Sequence, residues 1–379
     1  MKKPDLFVYK SGLLTALLLL GTPVAQADMV DAAMYVATEQ YDKAFAEYTR
    51  EATNGNSEAF YWLGMMYYNG TGTTQDYNKA IDWFLRAAAE HGENGDDKAM
   101  KMLGDMNLLG QGIDKNPVSA LEYYKHAADL GNADAGYITG NIYAQGLDTI
   151  KPNLTYSLIY WEQAAEAGNI PSMQNAAYLY ETGLAGTKDH DKAYALYLKA
   201  AEKDYAPAQT KVGLYAKNYE TKRDYAVALK WLTAAAQKQQ PMAQHELGLM
   251  YLDGLGVNKD IPKMVQLFEK ASANNYIPAA RDLGDFYASA DFGYLNMPLS
   301  FEHYLHAARL GDAQSERNTA MLYCNGNGTE KDMVRCAAWL FRATEKDAKT
   351  NEADMNNVTA ALSPTDLQRA KALATDKDL

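Results

Sequence analysis

The sequence predicts an all-α protein, a solenoid of antiparallel helix pairs. Three observations lead there. A short residue pattern returns about every 36 residues along most of the chain. Within each return the apolar positions fall at spacings of three, four and seven, which is helical. Every proline after residue 27 falls where a helix is predicted to start, where its missing N–H does no harm, and none interrupts a predicted helix.

The elements follow in chain order. Residues 1–27 read as a signal peptide: MKK is basic, Leu13 to Leu20 is a short apolar core, and Ala25-Gln26-Ala27 is a small-x-small cleavage pattern that leaves Asp28 first. Residues 28–56 read as a degenerate capping pair, with a short helix over 29–38 and a second one carrying Tyr41, Ala44, Tyr48 and Ala52. Residues 57–350 read as eight repeats. Their anchors are Gly64, Gly104, Gly140, Ala177, Gly213, Gly248, Gly284 and Ala320. Three residues past the anchor an aromatic recurs (Tyr67, Tyr143, Tyr180, Tyr251, Tyr287, Tyr323), and six past it a glycine (Gly70, Gly110, Gly146, Gly183, Gly254, Gly326). A second apolar stretch then opens on a small residue (Ala80, Ala120, Ser157, Ala193, Ala228, Ser300, Cys336), with Met264 the exception, and closes on alanine in every unit, from Ala87 to Ala343. Residues 351–379 supply a last capping helix, started by Ser363 as N-cap and running to about Thr375, and a tail.

Each unit is thus two helices, A and B, joined by a short turn. A glycine inside helix A costs about 1 kcal/mol against alanine. Its recurrence predicts close approach of helix B, with the small B residue facing it and large B side chains such as Phe84, Tyr124 and Trp161 beside that contact. One buried ring contributes about 1.5–3 kcal/mol, more than the glycine costs.

AFYWLGMMYYNGTGTTQDYNKAIDWFLRAAAEHG (59–92) and AQHELGLMYLDGLGVNKDIPKMVQLFEKA (243–271) resemble Sel1-like repeats, a branch of the tetratricopeptide superfamily. KNYETKRD and SADFGYLNMP, in the fifth and seventh units, depart from it by losing the paired-glycine turn. The resemblance implies a right-handed superhelix with a concave groove, and a non-catalytic adaptor of bacterial envelopes or host contacts. Groove positions carried over from it lie three before, one after and four after each anchor. They are Tyr61, Met65 and Tyr68; Lys101, Asp105 and Leu108; Tyr137 and Asn141; Gln174, Tyr178 and Glu181; Thr210 and Lys217; His245 and Leu249; then Arg281, Asp285 and Arg317. Tyr61, Met65, Tyr68, Tyr137 and Tyr178, with Leu249, are the candidate anchors, because aromatic and Met side chains bury much area at small entropic cost. The alternative for the first three is packing against the capping pair.

Charge narrows the partners. The expected leader holds three of the 36 basic and one of the 48 acidic residues, so the processed chain would carry a net charge of −14. That opposes nucleic acid and anionic lipid. The expected partner is a protein or peptide in the periplasm or outside the cell, with no membrane anchor once the leader is cleaved. Cys324 and Cys336 sit at similar depth on one helix pair, which in an exported protein suits a disulfide; two buried free thiols are the alternative. No cofactor or metal is expected. His303 and His306, three apart, fall on a core and an outer position. The glycine turns lack the following Lys-Ser and the preceding strand of a phosphate loop. GxSxG, HExxH, SxxK and CxxC are absent, so no enzyme activity is expected. The other readings are a hydrolase or binding protein for cell-wall or β-lactam compounds, and a secreted host-interaction factor. Cysteine-rich relatives of these repeats have been tied to β-lactams, but this chain lacks their cysteine pair in each repeat.

Overall fold

The computed structural model describes residues 25–89, 95–376 and 379, so the expected leader lies outside the described residues as far as position 24. Twenty α-helices run through them. The first two are α1 (Ala25–Ala37) and α2 (Tyr41–Thr53). A and B helices then alternate: α3 (Glu58–Asn69), α4 (Tyr77–Ala89), α5 (Asp97–Leu109), α6 (Pro117–Asp129), α7 (Ala133–Gln145), α8 (Leu154–Glu166), α9 (Ile170–Thr182) and α10 (His190–Glu202). They continue with α11 (Ala206–Asn218), α12 (Tyr225–Gln237), α13 (Pro241–Asp253), α14 (Ile261–Ala273), α15 (Ile277–Ala288), α16 (Met297–Arg309), α17 (Ala313–Asn325) and α18 (Met333–Lys346). The last two are α19 (Ala348–Ala360) and α20 (Pro364–Ala374). Strands are absent among the described residues, which hold one isolated β-bridge, Leu147 to Ile150. The chain divides into two compact units, 1–196 and 197–379.

Local chemistry sets the helix ends. Eight prolines occupy the first or second position of a helix, and Pro152 stands two residues before α8. Most B helices open on an Asn or Asp whose side chain accepts from the first turn, among them Asn116, Asn153, Asp224, Asp260, Asn296 and Asp332. The residue at this position also donates its own N–H to helix A, to the carbonyl three residues past the anchor. That bond occurs in all eight pairs, from Asp76 to Tyr67 through Asp332 to Tyr323, at 2.6–3.0 Å. The turn is therefore pinned to helix A while it starts helix B.

The anchor contact differs from expectation in its partner. The ring or Leu four residues beyond the small B residue lies directly on the glycine. A Cβ on Gly104 would stand 2.6 Å from the Tyr124 ring, and one on Gly248 2.6 Å from the Phe268 ring. The small residue instead flanks the anchor's carbonyl: Ser157 Oγ donates to Gly140 O at 2.7 Å and Ser300 Oγ to Gly284 O at 2.9 Å. At Gly64, Gly104, Gly140, Gly248 and Gly284 a flat ring rests on bare backbone and at Gly213 Leu232 does, whereas Ala177 and Ala320 keep a Cβ at this place.

Neighbouring pairs are tied at both ends of their B helices. At the start, Gly72 (φ 69°) and Gly328 (φ 73°) lie so close to the carbonyls of Tyr41 and Met297 that a side chain would collide with them. At the finish, a side chain from each of several B helices or their C-caps reaches a carbonyl near the end of the preceding one. Gln163 Nε2 donates to Ala128 O (2.9 Å), Lys238 Nζ to Asp204 O (2.5 Å) and Lys346 Nζ to Gly311 O (2.9 Å), while His306 Nε2 meets Ser272 O (3.1 Å). Ala128 O and Ser272 O also accept from the N–H of Gly131 and Asn275 in the turn that follows, so the link from the next B helix is a second donor there.

In the first unit the core runs from Tyr48 through Leu63 and Phe84 to Leu103 and Met106. The second unit ends on a cluster of Trp339, Leu340, Met355, Val358 and Ala370. The sequence predicts one helix after residue 350, whereas α19 and α20 both follow α18. Met355 and Val358 are the buried side chains described in α19, too few to mark an apolar stripe.

Candidate functional site

The candidate stripe is the row of A-helix positions three before, one after and four after each anchor. In the first unit it begins on α3. Tyr61 is only 5% exposed and its ring lies 6.0 Å from that of Phe84. It belongs to the core, so it leaves the set of surface anchors. The reason is the anchor geometry: the ring resting on Gly64 reaches the residue one turn earlier. Met65 and Tyr68 are half-buried against the same cluster. Tyr68 Oη donates to Gln111 Oε1 of the next turn at 2.8 Å, and its ring lies 5.4 Å from Tyr77. Burial pushes the Tyr68 phenol up, against the lowering effect of the Gln111 bond.

On α5, Asp105 accepts from Lys101 Nζ (2.7 Å) and from Tyr124 Oη (2.8 Å). Asp285 likewise accepts from Tyr304 Oη (2.5 Å). Burial first, then the adjacent carboxylate, pushes the phenols of Tyr124 and Tyr304 up. These two acids hold in place the rings that cover Gly104 and Gly284. Leu108 and Asn141 are half-buried, as is Tyr137, which packs beside Trp161 and Leu179. Tyr178, on α9, is 50% exposed.

The second unit uses the stripe differently. Thr210 and His245 are buried, and Leu249 packs against the cluster around Met264, Phe268 and Phe286. Lys217, His245, Arg281 and Arg317 each reach a carboxylate further along the chain, past the B helix that follows. Lys217 Nζ meets Glu246 Oε2 at 2.7 Å, and His245 Nε2 meets Asp282 Oδ2 at 2.7 Å. Arg281 Nη1 meets Asp312 Oδ1 at 3.2 Å, and Arg317 Nη2 meets Asp354 Oδ2 at 2.6 Å. Sequence reasoning missed the acids of these pairs. Glu246 and Asp282 stand two before their anchors, beside the −3 position, and following that position from unit to unit would have found them.

Cys324 and Cys336 are joined in a disulfide, Cα atoms 5.3 Å apart, linking α17 to α18. His303 is stacked on Tyr287 (5.7 Å, 7° between rings), and burial pushes its pKa down, while His306 is spent on Ser272. Among the described residues no three of His, Cys, Asp and Glu are grouped to hold a metal ion. No described helix is long and apolar enough to cross a membrane.

The helix pairs and their contacts are those of a known repeat. The Sel1 repeat matches residues 57–91, 97–132, 133–169, 170–205, 206–239, 241–276 and 313–347. The chain belongs to the Sel1 repeat family, within the tetratricopeptide-like superfamily. The pair at 277–312 falls outside those matches, and it keeps the anchor contact, Gly284 against Tyr304. An uncharacterized protein of Neisseria meningitidis serogroup B is 29% identical over 256 residues, covering 59% of this chain and 52% of the relative. The chitin synthase regulator SKT5 of Saccharomyces cerevisiae is 29% identical over 244 residues, 61% of this chain and 34% of its own. The chain therefore spans about half or less of these relatives. Among solved structures, a protective antigen present in uropathogenic Escherichia coli strains, with the SLR fold, superposes with a TM-score of 0.73 at 26% identity, covering 93% of this chain and 75% of that one. Sel1-repeat proteins act as protein-interaction scaffolds.

Proposed function

We propose that this chain is a non-catalytic scaffold of the bacterial envelope that holds a protein or peptide segment along the A-helix stripe of its first unit. The observation that carries the reading is the contrast between the two stripes. In the second unit Lys217, Arg281 and Arg317 are held in ion pairs within the chain, and His245 and Asp285 in hydrogen bonds. In the first, Tyr178 is half exposed and Tyr137 partly so, and the Lys101–Asp105 pair neutralises itself. Exposed neutral aromatics such as Tyr178 suit segments bound through apolar and hydrogen-bonding contact rather than charge.

The leader-like first 27 residues support export. The likeness to a protective antigen of uropathogenic strains favours a second placement, outside the cell. Fractionation into cytoplasm, periplasm and medium decides between them, and cytoplasmic recovery of the unprocessed chain overturns both. For the partner, a photo-crosslinking residue at position 178 is compared with one at Glu166, an exposed end of α8. The reading expects a discrete adduct from 178 that weakens when Tyr137→Ala is added. Equal adducts from both sites, or hydrolysis of muropeptides or a chromogenic β-lactam by the purified chain, would overturn it.

A further inference from the structure

The last A–B pair carries one short motif twice. Met321 and Cys324 stand three apart on α17, and Met333 and Cys336 three apart on α18. That spacing puts each Met and Cys on one helix face. The disulfide shows that the two faces meet. Met321, Cys324 and Met333 all line one cleft of about 300 Å³, backed by Val358 of α19. Cys336 is fully buried and does not itself line the cleft, which it reaches through its bond to Cys324, and both methionines are half-buried. Two charged side chains also border the cleft: Asp354, which Arg317 already neutralises at 2.6 Å, and the exposed Lys331.

We infer that the reduced form of this helix pair is a binding site for Cu(I), held by the two cysteine thiolates and the two methionine thioethers. The donor chemistry selects the ion. Thiolate sulfur suits Cu(I), Zn²⁺ and Fe–S clusters, the two neutral thioethers tip the set toward the softest of these, Cu(I), and Mg²⁺, Ca²⁺ and Mn²⁺ take oxygen. The disulfide is the gate. A dithiol reductant breaks the S–S bond by giving two electrons and two protons, and itself closes to a cyclic disulfide. Two thiols result. Cu(I) then displaces both protons to solvent and keeps its oxidation state, and the thioethers stay neutral. The filled site carries one negative charge, with Lys331 at the rim of the cleft to balance it. While the bridge stands no thiolate exists, and only the two neutral thioethers remain to meet the ion. This inference is independent of the scaffold reading, since it concerns α17 and α18 and needs no partner.

The test uses the full processed chain, reduced with dithiothreitol and freed of reductant under argon. It is then titrated against the Cu(I) complex of bathocuproine disulfonate. The expected result is about one Cu(I) withdrawn per reduced chain and none per oxidised chain. Met321→Leu/Met333→Leu conserves volume and leaves the bridge intact, so it should fold, with a melting temperature near that of the parent in the oxidised state. Its reduced form should hold Cu(I) about tenfold or more weakly. Cys324→Ser/Cys336→Ser should hold none. A reduced chain that competes no better than the double serine variant overturns the site. A double leucine variant that binds as tightly as the parent overturns the four-sulfur assignment.

Discussion

Replacing Gly104 with alanine sets two effects of opposite sign against each other. In an isolated helix the change stabilises by about 1 kcal/mol, because glycine has more backbone freedom to lose. Here the new Cβ would lie 2.6 and 2.7 Å from two carbons of the Tyr124 ring, about 1 Å inside ordinary carbon contact. The ring has nowhere to go. It is 1% exposed, and its hydroxyl is held by Asp105 at 2.8 Å. Over-packing of this kind costs about 1–3 kcal/mol, and a displaced ring also weakens a charge-assisted bond of about 1.5–3 kcal/mol. The expected net loss is about 2 kcal/mol. Urea unfolding followed by circular dichroism measures it, with amide exchange on α5 and α6 showing whether the loss is local, since long repeat arrays need not unfold in one step. In a Tyr124→Leu background the same alanine should cost at least about 1 kcal/mol less, a coupling that only contacting residues show. If Gly104→Ala proves more stable than the parent, then the bare-backbone account of the recurring glycine is wrong.

Three further outcomes follow from the second unit. Cys324→Ser/Cys336→Ser should lower stability by about 3 kcal/mol, the loop-closure value for an interval of this length, seen as an earlier thermal or urea midpoint than the oxidised parent. Glu316 is wholly buried between Lys346 and Arg342, and burial outweighs both in pushing its pKa above the ordinary 4.5. Its contribution is therefore full below 4.5 and is lost as pH rises through the native value, and Glu316→Gln should flatten that stretch of the stability–pH curve measured against the parent. His303 is shifted the other way, below its ordinary 6.5, by burial against Tyr287. Its contribution is present above 6.5 and lost as pH falls through the native value; His303→Phe should remove that loss, which midpoints at paired pH values would show.

The periodic part of the architecture was legible because its punctuation is chemical. Gly64, Gly104 and their equivalents, the turn glycines and the prolines each answer a steric demand that recurs with the helix pair. What stayed hidden depends on which residues meet across units. Tyr61 occupies a position that faces outward in related folds, and its burial follows from the Phe84 ring leaning back over Gly64. Lys217 and Arg281 read as groove charges until Glu246 and Asp312 are placed beside them. The anchor partner was misread by one turn, since spacing alone cannot tell a ring that covers a glycine from one that stands next to it. The helix at 348–360 has too little apolar pattern to announce itself, and it owes its place to the surface that α18 offers.

The carbonyl links between successive B helices, Gln163 to Ala128 and Lys346 to Gly311 among them, all span 34 or 35 residues and reach one pair back and no further. A gene that gained or lost one whole period would leave every remaining donor opposite a fitting acceptor. The same molecule can thus be lengthened or shortened in steps of one hairpin without redesigning its seams. A deletion of half a period has no such escape, because it would set the tip of one hairpin against the root of the next.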